Sequence, residues 1–313
     1  MASRGSRELQ VLLEALLAGE LPGSSAIASL SAMNGEECAA MQREWVSIPV
    51  STRRQLMLQV TGLADDNVDL DFTALARMAL HDEDAGVREL AVAALWESED
   101  RHVAADLTRL LQEDPSDEVR AAAAGGLKGF VVAREFEHFD RRQGDEIVNA
   151  LRSVASGEGE PAHLRATAIE ALGARSLAWV RNLIEDAYYS DERELRLAAL
   201  TAMGLSAGEE WSEFVIEQLG SEDPEFRFQA ARACYGIATE DLVEPLSRLL
   251  DDEDPEVALA AVSGLGEIGG EAALEHLREF RRRAPGPLFE ALDEAIESAR
   301  SLANLIATGP GEG

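Results

Sequence analysis

An apolar residue, usually followed by Arg, returns along this chain with small or apolar residues four, seven and eight places after it. Val87, Val119, Leu164, Leu195, Phe226 and Val257 head six such stretches, at intervals of 32, 45, 31, 31 and 31 residues. The long interval is a full period plus an insertion of 14. One period outward at either end stand Leu56, followed by Val60, Leu63 and Ala64, and Leu288, followed by Leu292, Ala295 and Ile296, which makes eight repeats. A fixed period in this range marks a solenoid, because one repeat cannot bury its own apolar face and must stack on its neighbour.

The stretch around Val119 shows what one repeat contains. Val103 to Gln112 reads VAADLTRLLQ, EDPSDE interrupts it, and VRAAAAGGLKGF resumes the helical spacing of apolar residues. This is a helix, a tight turn and a second helix. The interruption recurs as HDEDAG, EDPSDE, YSDERE, GSEDPE and DDEDPE, each offering acids or Ser to the exposed amides of a helix start. Pro115, Pro224 and Pro255 fall at or just before that start, where a missing N–H costs little. No stretch alternates with period two for long enough to suggest a strand.

The repeat resembles the HEAT repeat, in the short bacterial form also seen in phycobilisome-lyase-like HEAT proteins. The likeness runs from about residue 36 to 300 and is strongest in DEDAGVRELAVAAL, DPSDEVRAAAAGGL, DERELRLAALTAMG, DPEFRFQAARACYG and DPEVALAAVSGLG. It implies an all-α fold, a right-handed α-solenoid of about eight HEAT-like helical hairpins. It also implies a ladder in which the second-helix Arg reaches the turn Asp of a neighbouring repeat. By position the ladder would use Arg88, Arg120, Arg165, Arg196 and Arg227, and would lapse where Met57 and Ala258 replace the Arg. Such regular recurrence points to a structural role for these side chains rather than a catalytic one.

In HEAT proteins the second helices line the inner wall. Each residue of a helix turns by about 100°, so places two, six and nine after the head face away from the core. The expected wall is Glu89, Ala93, Trp96; Ala121, Gly125, Lys128; Ala166, Glu170, Gly173; Leu197, Thr201, Gly204; Phe228, Arg232, Tyr235; and Leu259, Ser263, Gly266. Only Glu89 and Glu170 among them are carboxylates, and Leu197, Phe228 and Leu259 hold the same place in three consecutive repeats. An apolar strip with Arg232 and Tyr235 beside it suits an extended peptide or the apolar face of a partner helix. The competing expectation is that close neighbouring helices cover these three residues among themselves. Trp96 occupies a wall place in an earlier repeat.

Charge narrows the partners. Lys plus Arg total 28 against 59 Asp plus Glu, a formal charge of -31, and Lys128 is the single Lys. Nucleic-acid affinity rests on cations that displace counterions, so nucleic acid and anionic membranes are poor partners. An alkylpurine-type DNA glycosylase built on HEAT-like repeats needs a cationic groove, and the wall carries only Lys128 and Arg232. The preference for Arg fits a GC-rich bacterial source. The start MASRGSRELQ enters an amphipathic helix without the features of a signal peptide, and no run approaches a membrane span, which places the chain in the cytoplasm. Cys38 and Cys234 lie far apart, with Cys234 at a buried place, so no disulfide framework is implied.

Several spellings that look chemical fail on context. Gly264 to Gly269 reads GLGEIG, yet no strand precedes it and the glycines close a second helix, as Gly173 and Gly204 do elsewhere. DDEDPE lacks the ligand order of a calcium loop, and His81, His102, His138, His163 and His276 form no helical metal pair. No catalytic, cofactor or metal site is expected. The insertion VVAREFEHFDRRQG, residues 131–144, brings two Phe, a His and three Arg, either as a second binding surface or as a lengthened helix and turn. The expected organisation is capping helices over 1–46 with Trp45 over the first repeat, a solenoid over 47–300, and a partly disordered tail over 301–313. The functional expectation is a non-enzymatic scaffold or adaptor for a protein or peptide, of undetermined oligomeric state. The alternative that the resemblance allows is a bilin-lyase-like enzyme subunit or chaperone acting on a biliprotein.

Overall fold

A computed structural model of the chain describes residues 4–307, with side chains over 8–302; the expected tail over 301–313 is helical as far as Ala307, and its last residues, 308–313, lie outside the described residues. In chain order the helices are α1 (Arg4–Leu17), α2 (Ser24–Ala28), α3 (Gly35–Glu44), α4 (Val50–Asp66), α5 (Thr73–Ala79), α6 (Ala85–Ala93), α7 (Arg101–Glu113), α8 (Asp117–Gly126), α9 (Lys128–Glu135) and α10 (Arg141–Ala155). They continue as α11 (Ala162–Leu172), α12 (Ala178–Tyr188), α13 (Arg193–Ser206), α14 (Ser212–Leu219), α15 (Pro224–Ile237), α16 (Val243–Ser247), α17 (Pro255–Ile268), α18 (Gly270–Arg281) and α19 (Phe289–Ala307). No strand occurs among the described residues.

The chain divides into two compact units, Met1–Ala168 and Ile169–Gly313, with the division inside α11. Each unit is a run of helical hairpins whose second helices are α4, α6 and α8 in the first and α13, α15, α17 and α19 in the second, while α11, itself a second helix, spans the division. Seven of the eight heads are buried, from Leu56 to Val257, while Leu288 is half-buried in the turn before α19.

The turn chemistry explains where second helices begin. Asp84, Ser116, Asp223 and Asp254 occupy the N-cap places of α6, α8, α15 and α17, and their side chains accept from Val87, Val119, Glu225 and Glu256 amides. Pro224 and Pro255 open α15 and α17. Five places before the head a second acceptor recurs. Asp82, Asp114, Ser190, Ser221 and Asp252 each accept from the backbone amide two residues on, at 2.8–3.3 Å.

In the second unit the second helices lie against one another far more closely than the first helices do. Small residues allow this. A methyl group on Gly204 of α13 would sit 2.8 Å from Ala233 Cα of α15, and one on Gly266 of α17 would sit 2.9 Å from Ala295 Cα of α19. Gly173, next to α11, meets Ala202 of α13 in the same way. Where place nine is one of these glycines it belongs to the contact between repeats, so Gly173, Gly204 and Gly266 do not line a free wall as the spacing suggests, whereas Trp96 and Tyr235 at the same place are exposed. The glycines of GLGEIG are part of this packing, and Gly269, at φ 68°, ends α17.

In the first unit, α3 and the turn after it bring Trp45 into the core. Its indole Nε1 donates to Asp82 Oδ2 at 2.6 Å, and Arg53 Nη1 of α4 reaches the same carboxylate at 2.5 Å. Both charged side chains are almost fully enclosed, 3% and 0% exposed.

Candidate interaction surface

The five ladder arginines take four different arrangements. Arg88 and Arg227 make two-pronged pairs with Asp114 and Asp252, the carboxylates five places before the next head, at 2.7–2.9 Å. Arg120 reaches Glu160 in the following turn at 2.6 and 2.7 Å and also Asp117. The guanidiniums of Arg227 and Arg120 hold the carboxyls of Asp252 and Glu160 below the usual carboxylate range. Arg165 and Arg196 depart from the expected ladder. Arg165 donates to the Ala155 carbonyl, and Arg196 stacks over the Phe226 ring, 5.1 Å from its centroid. The reason lies in the next turn, where Ser190 and Ser221 stand in place of Asp and supply no charge.

The expected lapse at Met57 is also corrected. Arg53, one turn before Met57 on α4, takes over and pairs with Asp82. At the Ala258 repeat the polarity reverses: Arg283 stands five places before Leu288 and pairs with Asp251 through both guanidinium nitrogens.

Leu197, Phe228 and Leu259 sit on α13, α15 and α17, one per helix in the same register. Leu197 and Phe228 are half-buried, and Leu259 is 42% exposed, so neighbouring helices cover the row only in part. The Arg232 guanidinium lies 5.7 Å above the Phe228 ring, which fixes both side chains at the surface. Tyr235 follows on the same face of α15, 53% exposed. One turn before the apolar row, the same face carries the exposed Glu194, Glu225 and Glu256. Glu225 pairs with Arg193 at 2.7 Å, whereas Glu194 and Glu256 have no ion pair among the described residues. Across the second unit the surface therefore runs from a carboxylate row to an apolar row and then to Thr201, Arg232 and Ser263.

Trp96 belongs to the first unit and is not part of this row. It is 59% exposed, and its Nε1 donates to Asp65 of the preceding repeat at 3.2 Å. The insertion is a lengthened helix and a turn: α9 follows α8 directly, Phe139 folds back on Phe130 with ring centroids 5.2 Å apart, and Arg134 bridges to Asp145 at 3.2 Å. Phe136 alone of its aromatics is well exposed.

Cys234 is buried, and burial pushes its thiol up to about 12, so it is held as a packing thiol. Among the described residues, no three His, Cys, Asp or Glu side chains are grouped to hold a metal ion, and no helix is long and apolar enough to cross a membrane.

Spacing within one helix did not disclose an aromatic cluster on α12 and α14. Tyr188, Tyr189, Trp211 and Phe214 join through edge-on ring contacts with centroids 5.1–6.2 Å apart. The signal in the sequence was the adjacent pair Tyr188, Tyr189 in a chain where aromatics are only 5% of residues.

Residues 212–297 match the family model for HEAT repeats. Among solved structures, the complex of CpcE and CpcF of phycocyanin lyase from Nostoc sp. is 18% identical, covers 85% of this chain and 95% of its own, and has a TM-score of 0.52. Human deoxyhypusine hydroxylase is 19% identical over 85% of this chain and 96% of its own, with a TM-score of 0.37. Importin beta is 13% identical over 95% of this chain and 47% of its own, at 0.49. Likeness at these identities is one of fold alone. No curated protein matches the chain.

Proposed function

Because residues 212–297 are HEAT repeats and the same hairpin recurs before them, we propose that the chain is a non-enzymatic adaptor that binds a segment of a partner protein across α13, α15 and α17. The observation that carries this is the row of Leu197, Phe228 and Leu259, left partly open beside Tyr235 and Arg232. Adjacent helices pack about 8–10 Å apart, so the row extends roughly 20 Å, about four turns of a helix. Aromatic and Arg side chains are the usual anchors of such interfaces. Charge complementarity decides the partner's character. Its apolar face covers the row, and Lys or Arg along one edge meets Glu194 and Glu256. An acid on the opposite edge would meet Arg232, which gives the bound segment a direction.

The absence of catalysis in this reading is supported by the buried thiol of Cys234 and by the structural pairing of Arg88, Arg120 and Arg227. We place the protein in the cytoplasm, where Cys38 and Cys234 remain reduced. The test uses a synthetic 18-residue amphipathic helix, Leu on one face and Lys along one edge, titrated calorimetrically into the full chain. The Phe228→Ala, Tyr235→Ala double variant should keep its helical circular dichroism and lose at least tenfold in affinity, about 1.4 kcal/mol. Unchanged binding by that variant overturns the reading.

A further inference from the structure

The first helices of the second unit carry a different surface, independent of the row on α13, α15 and α17. Tyr189 caps the end of α12 and is 69% exposed, unusually open for an aromatic side chain. It is not a loose ring. Its edge-on neighbours are Tyr188 at 5.2 Å and Phe214 of α14 at 6.2 Å, and Phe214 packs in turn on Tyr188 and the buried Trp211. The network is pinned by the Tyr188 hydroxyl, which donates to Glu217 Oε2 at 3.0 Å and accepts from Gln218 Nε2 at 2.8 Å.

The charge around these rings is negative and mostly uncompensated. Glu185 lies one turn before Tyr189 on α12, and Glu217 one turn after Phe214 on α14; both are exposed, and neither makes an ion pair among the described residues. The nearest cation along α12, Arg181, is occupied by Glu210 at 3.2 Å. Ring faces carry partial negative charge and attract a cation, most strongly where carboxylates stand beside them. A guanidinium is the best fit, because it stacks flat on a ring while its edge donates to a carboxylate.

We propose that Tyr189 and Phe214, flanked by Glu185 and Glu217, form a second docking site that takes an arginine side chain of a partner polypeptide. Tyr189 supplies the open ring face and Glu185 the acceptor. Tyr188, Glu217 and Gln218 hold the rings in position. The site lies on the opposite layer of helices from the apolar row, so one partner segment cannot fill both.

The chain has three tyrosines, Tyr188, Tyr189 and Tyr235, and this makes a direct test available. Full-length protein labelled with 3-fluorotyrosine gives one fluorine resonance for each, two reporting on this site and Tyr235 on the apolar row. The probe is a hexapeptide of alternating Arg and Ser, and its control replaces every Arg by citrulline, which keeps the shape and removes the charge. Titration with the Arg peptide should shift the Tyr189 resonance and leave Tyr235 in place, and the citrulline peptide should shift neither. Glu185→Gln and Phe214→Leu should each weaken the Tyr189 response by about two- to fivefold. Equal shifts with citrulline, a motionless Tyr189, movement of all three resonances together, or full affinity in both variants would each overturn the site.

Discussion

The pairing of Arg53 with Asp82 shows how one residue's chemistry fixes a junction between repeats. Asp82 is enclosed and receives Arg53, the Trp45 indole and the Asp84 amide, so its charge is met from three sides. Removing Arg53 leaves a buried carboxylate without its cation, and Arg53→Ala should destabilise the first unit by about 3–5 kcal/mol, measured by urea unfolding. A second consequence concerns the turns. Ser221 preserves the amide contact that Asp252 makes but offers Arg196 no charge, and Arg196 Nε is buried without a hydrogen-bond partner. Ser221→Asp should draw Arg196 from the Phe226 ring and raise stability by about 1 kcal/mol. A lower unfolding midpoint would refute that account. The ladder at Arg88 and Arg227 was legible in the sequence because head, Arg and Asp recur at fixed places. Its failure at Arg165 and Arg196 was legible too, in Ser190 and Ser221, but only once the structure identified the fifth place before the head as the acceptor.

At the scale of the helix, the same residue type does opposite work at two places. Gly62 lies exposed within α4 with no atom within 4 Å of where a methyl would stand, whereas Gly204 faces Ala233 Cα at 2.8 Å. Gly62→Ala should therefore stabilise the first unit by about 0.5–1 kcal/mol through helix propensity. Gly204→Ala must push α13 from α15 and should cost about 1–3 kcal/mol despite the same propensity gain. Thermal unfolding of the two variants separates these directions. Helical spacing set Leu259, Arg232 and Ser263 at the surface, and they are exposed, but Ala166 at place two of its repeat is buried. It misplaced Gly173, Gly204 and Gly266 at place nine, because spacing in one helix carries no information on how near the next helix comes. The cluster of Tyr188 and Phe214 was hidden for the same reason: its members lie on two helices, and only stacking of the repeats joins them.

Across the whole molecule, the 31-residue period announced the architecture, because each repeat must be roofed by its neighbour and the spacing of heads is set by that requirement. The division into units at Ala168 and Ile169 has no counterpart in the period. The charge of -31 sets the pH response. Asp252, Glu160 and Asp223 are held below their ordinary range by Arg227, Arg120 and Arg193. The stability from such depressed groups is complete above an unfolded value of about 4 and is lost as pH falls through the lower folded values. Between pH 7 and about 5 the melting temperature should hold or rise as carboxylate repulsion eases, then fall below about pH 4. A steady decline from pH 7 downward would show that the paired carboxylates do not govern acid unfolding.

The central claim, that a partner segment lies across α13, α15 and α17, is tested most directly by placing a photo-cross-linking phenylalanine analogue at Tyr235 in the native host, with Val68, exposed in the first unit, as control. Sequencing the cross-linked peptide should give one adduct from position 235, amphipathic and bearing Lys or Arg along one edge, that disappears with Phe228→Ala and is absent at position 68. No discrete adduct at 235, the same adduct from both positions, or an acidic segment without an apolar face would contradict it.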